Sequence, residues 1–183
     1  MPRRPWVALF LTLCLLPAAA EAQTAQTWSI QLSALGVRLT GETNERLEVG
    51  GGGELQVRWN PSAFSIGVGG QTTVHELDNV TVTYRGGFVE PRYILTTLGN
   101  SVALYGSARL MTLSATYQVT ILGTEAEREI DGWALSGGGG LLIRLGSRVN
   151  GDLGVTVGKE FYGGEAADGA TVVTRLGIAV GLG

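Results

Sequence analysis

Residues 133–160, WALSGGGGLLIRLGSRVNGDLGVTVGKE, constrain this chain more tightly than any other stretch, because they hold two period-two runs joined by a short polar turn. In the first run Trp133, Leu135, Gly137, Gly139, Leu141, Ile143 and Leu145 share one face, and Ala134, Ser136, Gly138, Gly140, Leu142 and Arg144 share the other. Gly146, Ser147 and Arg148 form the turn. The second run sets Val149, Leu153, Val155 and Val157 against Asn150, Asp152, Thr156 and Glu160, so charge returns on the face that carries Arg144. A chain built by repeating such a hairpin is all-β and antiparallel.

The unit does repeat. Residues 27–39 start with Trp28, Ile30 and Leu32 on one face and change to Leu35, Val37 and Leu39, as a bulge near Ala34 would produce. Residues 41–48, GETNERLE, read as a loop. A second strand places Leu47, Val49, Leu55, Val57 and Trp59 opposite Glu48, Glu54, Gln56 and Arg58, and Asn60, Pro61 and Ser62 turn the chain. A third sets Phe64, Ile66, Val68 and Val74 against Ser65, Gln71, Thr73 and His75. The fourth, 80–95, changes frame around Gly86 and Gly87, and Pro91, which donates no hydrogen bond, predicts a bulge or strand end. A fifth strand, 101–117, precedes the charged GTEAEREIDG segment, which reads as a solvated loop. The eighth strand, 171–182, follows a further loop at 163–169.

Two features of the N-terminus bear on the compartment. Arg3 and Arg4 precede an apolar run at 6–16, then Pro17 and a series of alanines, the pattern of a secretory signal peptide cleaved after Ala22. The domain boundaries expected are therefore 1–22, signal peptide, and 23–183, barrel. The apolar run is shorter than the roughly 20 residues a spanning helix requires. The one cysteine, Cys14, falls in this segment, so the remainder has no thiol chemistry and no disulfide framework. Removing Arg3, Arg4 and Glu21 from 13 basic and 16 acidic residues leaves 11 and 15, a charge of −4, which does not suit nucleic acid.

The connections are the strongest architectural signal. Those after the second, fourth and sixth strands are short, and those after the first, third, fifth and seventh are longer and mostly acidic or polar. An up-and-down barrel crossing a bilayer shows this asymmetry between its periplasmic and outer rims. Strands of about 10 to 16 residues also exceed the five or six usual in soluble sheets and suffice for a tilted crossing. Trp28, Trp59, Phe64 and Tyr93 near the short-turn end, and Tyr117, Trp133 and Phe161 near the other, predict two interfacial girdles.

The signal peptide, the segments VEPRYIL and TLGNSVALYGSARL, and the glycines leading into LLIRLGSRVNGDLGV resemble the outer membrane protein β-barrel domain family, the small eight-stranded barrels of the OmpA and OmpX type. The resemblance implies an eight-stranded antiparallel up-and-down transmembrane β-barrel in the bacterial outer membrane, monomeric, with outer-membrane lipid and the barrel-insertion machinery as partners. Such barrels usually end in an aromatic residue that the machinery reads. This chain ends Val180, Gly181, Leu182, Gly183, so either Leu182 serves or the route of insertion differs.

With the apolar face on lipid, Glu54, Arg58, Arg85, Glu90, Arg92, Arg109, Arg144, Asp152, Glu160 and Arg175 fall in the lumen, where acids and bases must pair. The glycine runs 50–53 and 137–140 lie mid-strand and lack the following helix of a phosphate loop. Curvature or room for long arginines would explain them, and in an eight-strand ring the two runs would face each other. His75 reads as a solvated loop residue beside Glu76 and Asp78 rather than a metal ligand or base. Ser65 and Ser114 lack a second histidine or a compelling acid neighbour. No catalytic, metal or cofactor residues are therefore assigned, and the expected role is non-enzymatic: structural, adhesive or passively permeable. The alternatives are a lipid-modifying barrel enzyme and a soluble periplasmic lipid-binding barrel, whose apolar face would turn inward.

Overall fold

A computed structural model of the chain describes residues 26–40, 49–77, 80–121, 124–163, 165–166 and 170–182. The expected signal peptide and its cleavage site, and the loop at 41–48, lie outside the described residues. The strands are β1 (Trp28–Thr40), β2 (Gly50–Trp59), β3 (Phe64–Leu77), β4 (Val80–Leu98), β5 (Val102–Ile121), β6 (Thr124–Arg144), β7 (Val149–Tyr162), β8 (Glu165–Ala166) and β9 (Ala170–Leu182). Consecutive strands from β1 to β7 pair antiparallel, β9 pairs with both β7 and β1, and the sheet closes into a ring. β8 only extends the rim of β7 through Phe161 and Tyr162. The fold is an eight-stranded antiparallel up-and-down transmembrane β-barrel. Closure leaves no sheet edge along the ring, which an apolar surround would penalise heavily.

Alternation along each strand decides which side chains meet the surround. Leu32, Leu55, Val68, Val89, Leu110, Leu135, Val155 and Leu176 point outward and are 46–66 % exposed, while Glu54, Glu90, Arg92 and Asp152 point inward and are buried. The inward-facing apolar arrangement of a soluble lipid carrier is thus not the one adopted. Trp28 pairs across strands with Trp59, and Phe64 with Tyr93, which places four aromatics at the short-turn rim. At the other rim Trp133 stacks on Phe161 with ring centroids 4.1 Å apart. From Trp133 to Ile143 the outer face of β6 spans about 33 Å of strand, or about 23 Å along the normal at a 45° tilt, close to the roughly 25 Å apolar band of such barrels.

Above Trp133 the outer face changes character at once. Leu135 pairs with Leu110 and Trp133 with Thr112, but Asp131 pairs with Ser114, Glu129 with Thr116 and Glu127 with Gln118. The GTEAEREIDG segment is therefore strand rather than loop from Thr124 onward, and the β5–β6 hairpin runs about 30 Å of strand beyond the girdle. Both faces there meet water, and period two survives with Glu127, Glu129 and Asp131 on the outer row and Ala126, Arg128 and Ile130 on the other. The connection between β3 and β4 is likewise reduced to residues 78–79, because Glu76 and Leu77 continue the ladder to Val80.

Two expected irregularities are absent. The β1 registers with β2 and β9 run unbroken past Ala34, and the odd positions remain inward throughout. Leu35, Val37 and Leu39 enter the lumen because the lumen itself turns apolar toward the long-loop end. β4 likewise keeps its even positions inward through Gly86, and its one register shift lies at Leu95, between Ile94 and Thr96, rather than at Pro91. The frame changes in the sequence record a change of environment along one face.

The belt makes a contrast that can be measured. Val155→Arg, at mid-belt on β7, should cost about 2–4 kcal/mol in urea unfolding from vesicles. Glu129→Lys, on the projecting hairpin, should shift stability by only about 0.5 kcal/mol.

Candidate functional site

The lumen is organised around Glu90 of β4, which has no solvent exposure. All four buried arginines reach it. Arg58 Nη2 lies 2.7 Å from Oε1 and Arg92 Nη2 3.2 Å from the same oxygen. Arg175 Nη1 lies 2.9 Å from Oε2, and Arg109 donates to that oxygen from Nε at 2.9 Å and from Nη2. The carboxylate binds arginines from β2, β4, β5 and β9, so one side chain ties together strands from both sides of the ring.

Two further carboxylates complete the cluster. Asp152 Oδ2 accepts from Arg92 Nη2 at 2.8 Å and from Gln31 at 2.7 Å, while its Oδ1 accepts from the Tyr105 hydroxyl at 2.6 Å. Glu54 meets Arg175 at 3.2 Å and Arg109 Nη1 at 2.9 Å. Arg92 also stacks over Tyr105 and Arg109 over Phe88, each 3.9 Å from the ring centroid. Charge-assisted bonds are strongest where water is excluded, and here apolar side chains close the cluster from both ends. Toward the long-loop end Leu39, Val82, Tyr84, Phe88, Met111 and Leu113 pack together, and toward the turns Ile94, Ala103 and Leu142 pack around Tyr105.

Seven of the ten charged positions expected in the lumen lie in this cluster: Glu54, Arg58, Glu90, Arg92, Arg109, Asp152 and Arg175. Arg85 does not. It is exposed on the outer face of β4, in the same row as Ser114 and Asp131, because no frame change carries it inward. Glu160 lies half-buried at the long-loop end, where it accepts from Tyr162 at 2.8 Å and Thr171 at 3.0 Å. Arg144 lies half-buried at the turn end of β6. Among the aromatics, Tyr117 belongs to the inner face, packed against the upper apolar cluster, and not to a girdle.

His75 also departs from expectation. It is 1 % exposed, on the inner face of β3, edge-to-face with Tyr84 at 5.3 Å. Gly50 makes its room, since a Cβ there would lie 2.3 Å from the imidazole. The run 137–140 makes room for an aromatic ring rather than an arginine: a Cβ at Gly140 would fall 2.5 Å from the Tyr105 hydroxyl. Arginines take their space elsewhere, Arg58 at Gly67 and Arg175 at Gly154. Ser65 accepts from Arg58 at 3.1 Å in the lumen, while Ser114 donates to Glu129 at 2.6 Å on the hairpin, so neither serine meets His75. Tyr105, Gln31, Gln56 and Ser33, all buried in the lumen, carry no charge, so charge alone does not single them out, although Tyr105 shares its face with Arg109.

Glu90→Gln leaves four guanidiniums facing two carboxylates, and breaking so buried a set of pairs should cost about 3–5 kcal/mol in urea unfolding. Glu160→Gln, at a half-buried position, should cost about 1 kcal/mol or less by the same measurement.

No family model matches the sequence, and no curated protein does. Solved structures do match in shape. Neisserial surface protein A superposes with a TM-score of 0.67 at 12 % identity, over 85 % of this chain and 97 % of that one. Ail, the attachment invasion locus protein of Yersinia pestis, solved with the heparin analogue sucrose octasulfate, gives 0.58 at 16 % identity, over 84 % and 96 %. OprG of Pseudomonas aeruginosa, an outer membrane protein, gives 0.51 at 12 % identity, over 87 % and 97 %. At these identities the likeness is one of fold: the chain has the architecture of small eight-stranded outer membrane barrels.

Proposed function

We propose that this chain is a non-enzymatic barrel of the bacterial outer membrane, sealed to solutes, whose task is to hold an acidic β-hairpin above the lipid surface for contact with a basic partner. The observation that carries the reading is the abrupt change on the outer face of β6 from Leu135 and Trp133 to Asp131, Glu129 and Glu127. A strand that only crossed the bilayer would end at the girdle. This one continues, paired with β5 to Ile121 and Thr124. Against a passive solute role stands the lumen, where the Glu90 cluster lies between two apolar layers. An eight-strand ring leaves an interior that side chains fill.

The charge of the hairpin chooses between kinds of partner. Ail was solved with a polysulfated glycan analogue. The acidic row here repels such a ligand and attracts a cationic surface, with an attraction that falls as salt rises. The barrel acts as a monomer, with lipid around its belt and the insertion machinery as its assembly partner.

Display of the full chain on a non-adherent Gram-negative host tests the reading. Binding to surfaces coated with basic protein should fall roughly tenfold in the combined variant Glu127→Lys, Glu129→Lys, Asp131→Lys, with the heat-modifiable gel mobility of a folded barrel retained. Equal binding by the two folded proteins would remove the hairpin from the function. Planar bilayers containing the wild type should show no steady unitary conductance.

A further inference from the structure

We infer that the turn end of the lumen holds a small inorganic anion, of the halide class, between Arg58 and Arg92. Three observations lead there. The first is charge. Among the described residues the buried arginines are Arg58, Arg92, Arg109 and Arg175, and the buried carboxylates are Glu54, Glu90 and Asp152, so with His75 neutral the sealed cluster carries one positive charge in excess. An uncompensated charge in a low-dielectric interior is costly unless a counter-ion sits close by. Arg144, whose cross-strand partner is Asn150, adds to the positive potential at this end.

The second observation is hydrogen bonding. The terminal nitrogens of Arg58 and Arg92 are directed at Glu90, Asp152, Ser65 and Gln56, yet the Nε–H groups of these two arginines are buried with no hydrogen-bond partner among the described residues. These side chains are 3 % and 2 % exposed, so bulk water does not satisfy them. Two orphaned donors on cationic groups call for an acceptor that is itself anionic.

The third is space. A cavity of about 20 Å³ lies against Arg58 and Arg92, with Ser29, Ser65, Asn60 and Asn150 also around it and no carboxylate in its wall. Its size fits one particle of the dimensions of a water molecule or a halide ion. The Ser29 hydroxyl accepts from Asn60 Nδ2 at 3.0 Å, which leaves its own proton to donate into the space. The wall thus offers donors of neutral and cationic kind and excludes competing negative charge. A polyatomic anion such as sulfate is too large for it.

Bromide is the probe. Crystals of the full chain, refolded in detergent and soaked in sodium bromide, should give an anomalous peak in this cavity within hydrogen-bonding distance of Arg58 Nε and Arg92 Nε. A cavity holding water only, or bromide confined to the outer surface, would overturn the inference. In solution, replacing gluconate by chloride at constant ionic strength should raise the folding equilibrium constant by roughly tenfold and saturably, as for a ligand bound by the folded state alone. Ser29→Asp places a carboxylate in the same wall. It should abolish the chloride effect and be at least as stable in gluconate as the wild type. A chloride effect that persists undiminished in Ser29→Asp would count against the site, and the bromide measurement on the wild type decides the matter if that variant does not fold.

Discussion

Four guanidiniums converge on one carboxylate, and the rest of the molecule is arranged to make that tolerable. Glu90 has no contact with solvent, and its partners come from strands that are far apart in sequence, β2 and β9 among them. A network of this kind is worth little to stability as an isolated pair, because desolvation offsets much of the Coulomb gain. It does join strands across the ring: Arg175 of β9 reaches Glu54 of β2 and Glu90 of β4, and Arg92 of β4 reaches Asp152 of β7, so removing one partner leaves a buried charge uncompensated.

The two faces of each strand then answer to different solvents. Lipid-facing positions need only be apolar and sized to the band, which is why Val, Leu and Ile recur there and stay exposed. Lumenal positions must interlock, and glycine supplies the gaps. Tyr105 occupies space that side chains at Gly140 and Gly154 would fill, and from there it links Asp152 to Arg175. The apolar clusters on both sides keep water from competing with these bonds. With its lumen filled in this way, the barrel carries the β5–β6 hairpin beyond the girdle on a closed ring of paired strands.

Much of this was legible in the alternation. The hairpin at 133–160, the girdle residues Trp28, Trp59, Phe64, Tyr93, Trp133 and Phe161, and the pairing of acid with base inside the ring follow from period two and from the need to neutralise enclosed charge. The errors share one cause. Alternation alone makes an apolar residue a marker of the lipid face, so Leu35, Val37 and Leu39 predict a bulge and the frame change expected at Gly86 and Gly87 carries Arg85 inward, and neither irregularity occurs. The lumen of this barrel is itself apolar above the ion cluster, and the outer face is charged above the girdle. Position along the barrel axis, which period two does not encode, decides the sign of the rule. The same blindness made residues 124–131 look like a loop, although Glu125, Glu127, Glu129 and Asp131 alternate as regularly as any lipid-facing row.

The account stands on the orientation of the alternating faces, and spin-label accessibility reads that orientation directly. Nitroxides introduced singly at Val155, Glu129 and Glu90, with Cys14 replaced by alanine, would be compared in vesicles for relaxation by oxygen and by a water-soluble nickel chelate. The label at 155 should respond to oxygen and not to nickel, the label at 129 to nickel, and the label at 90 to neither. A label at 155 shielded from both relaxants, or one relaxed by nickel, would place that face against protein or water and contradict the transmembrane barrel.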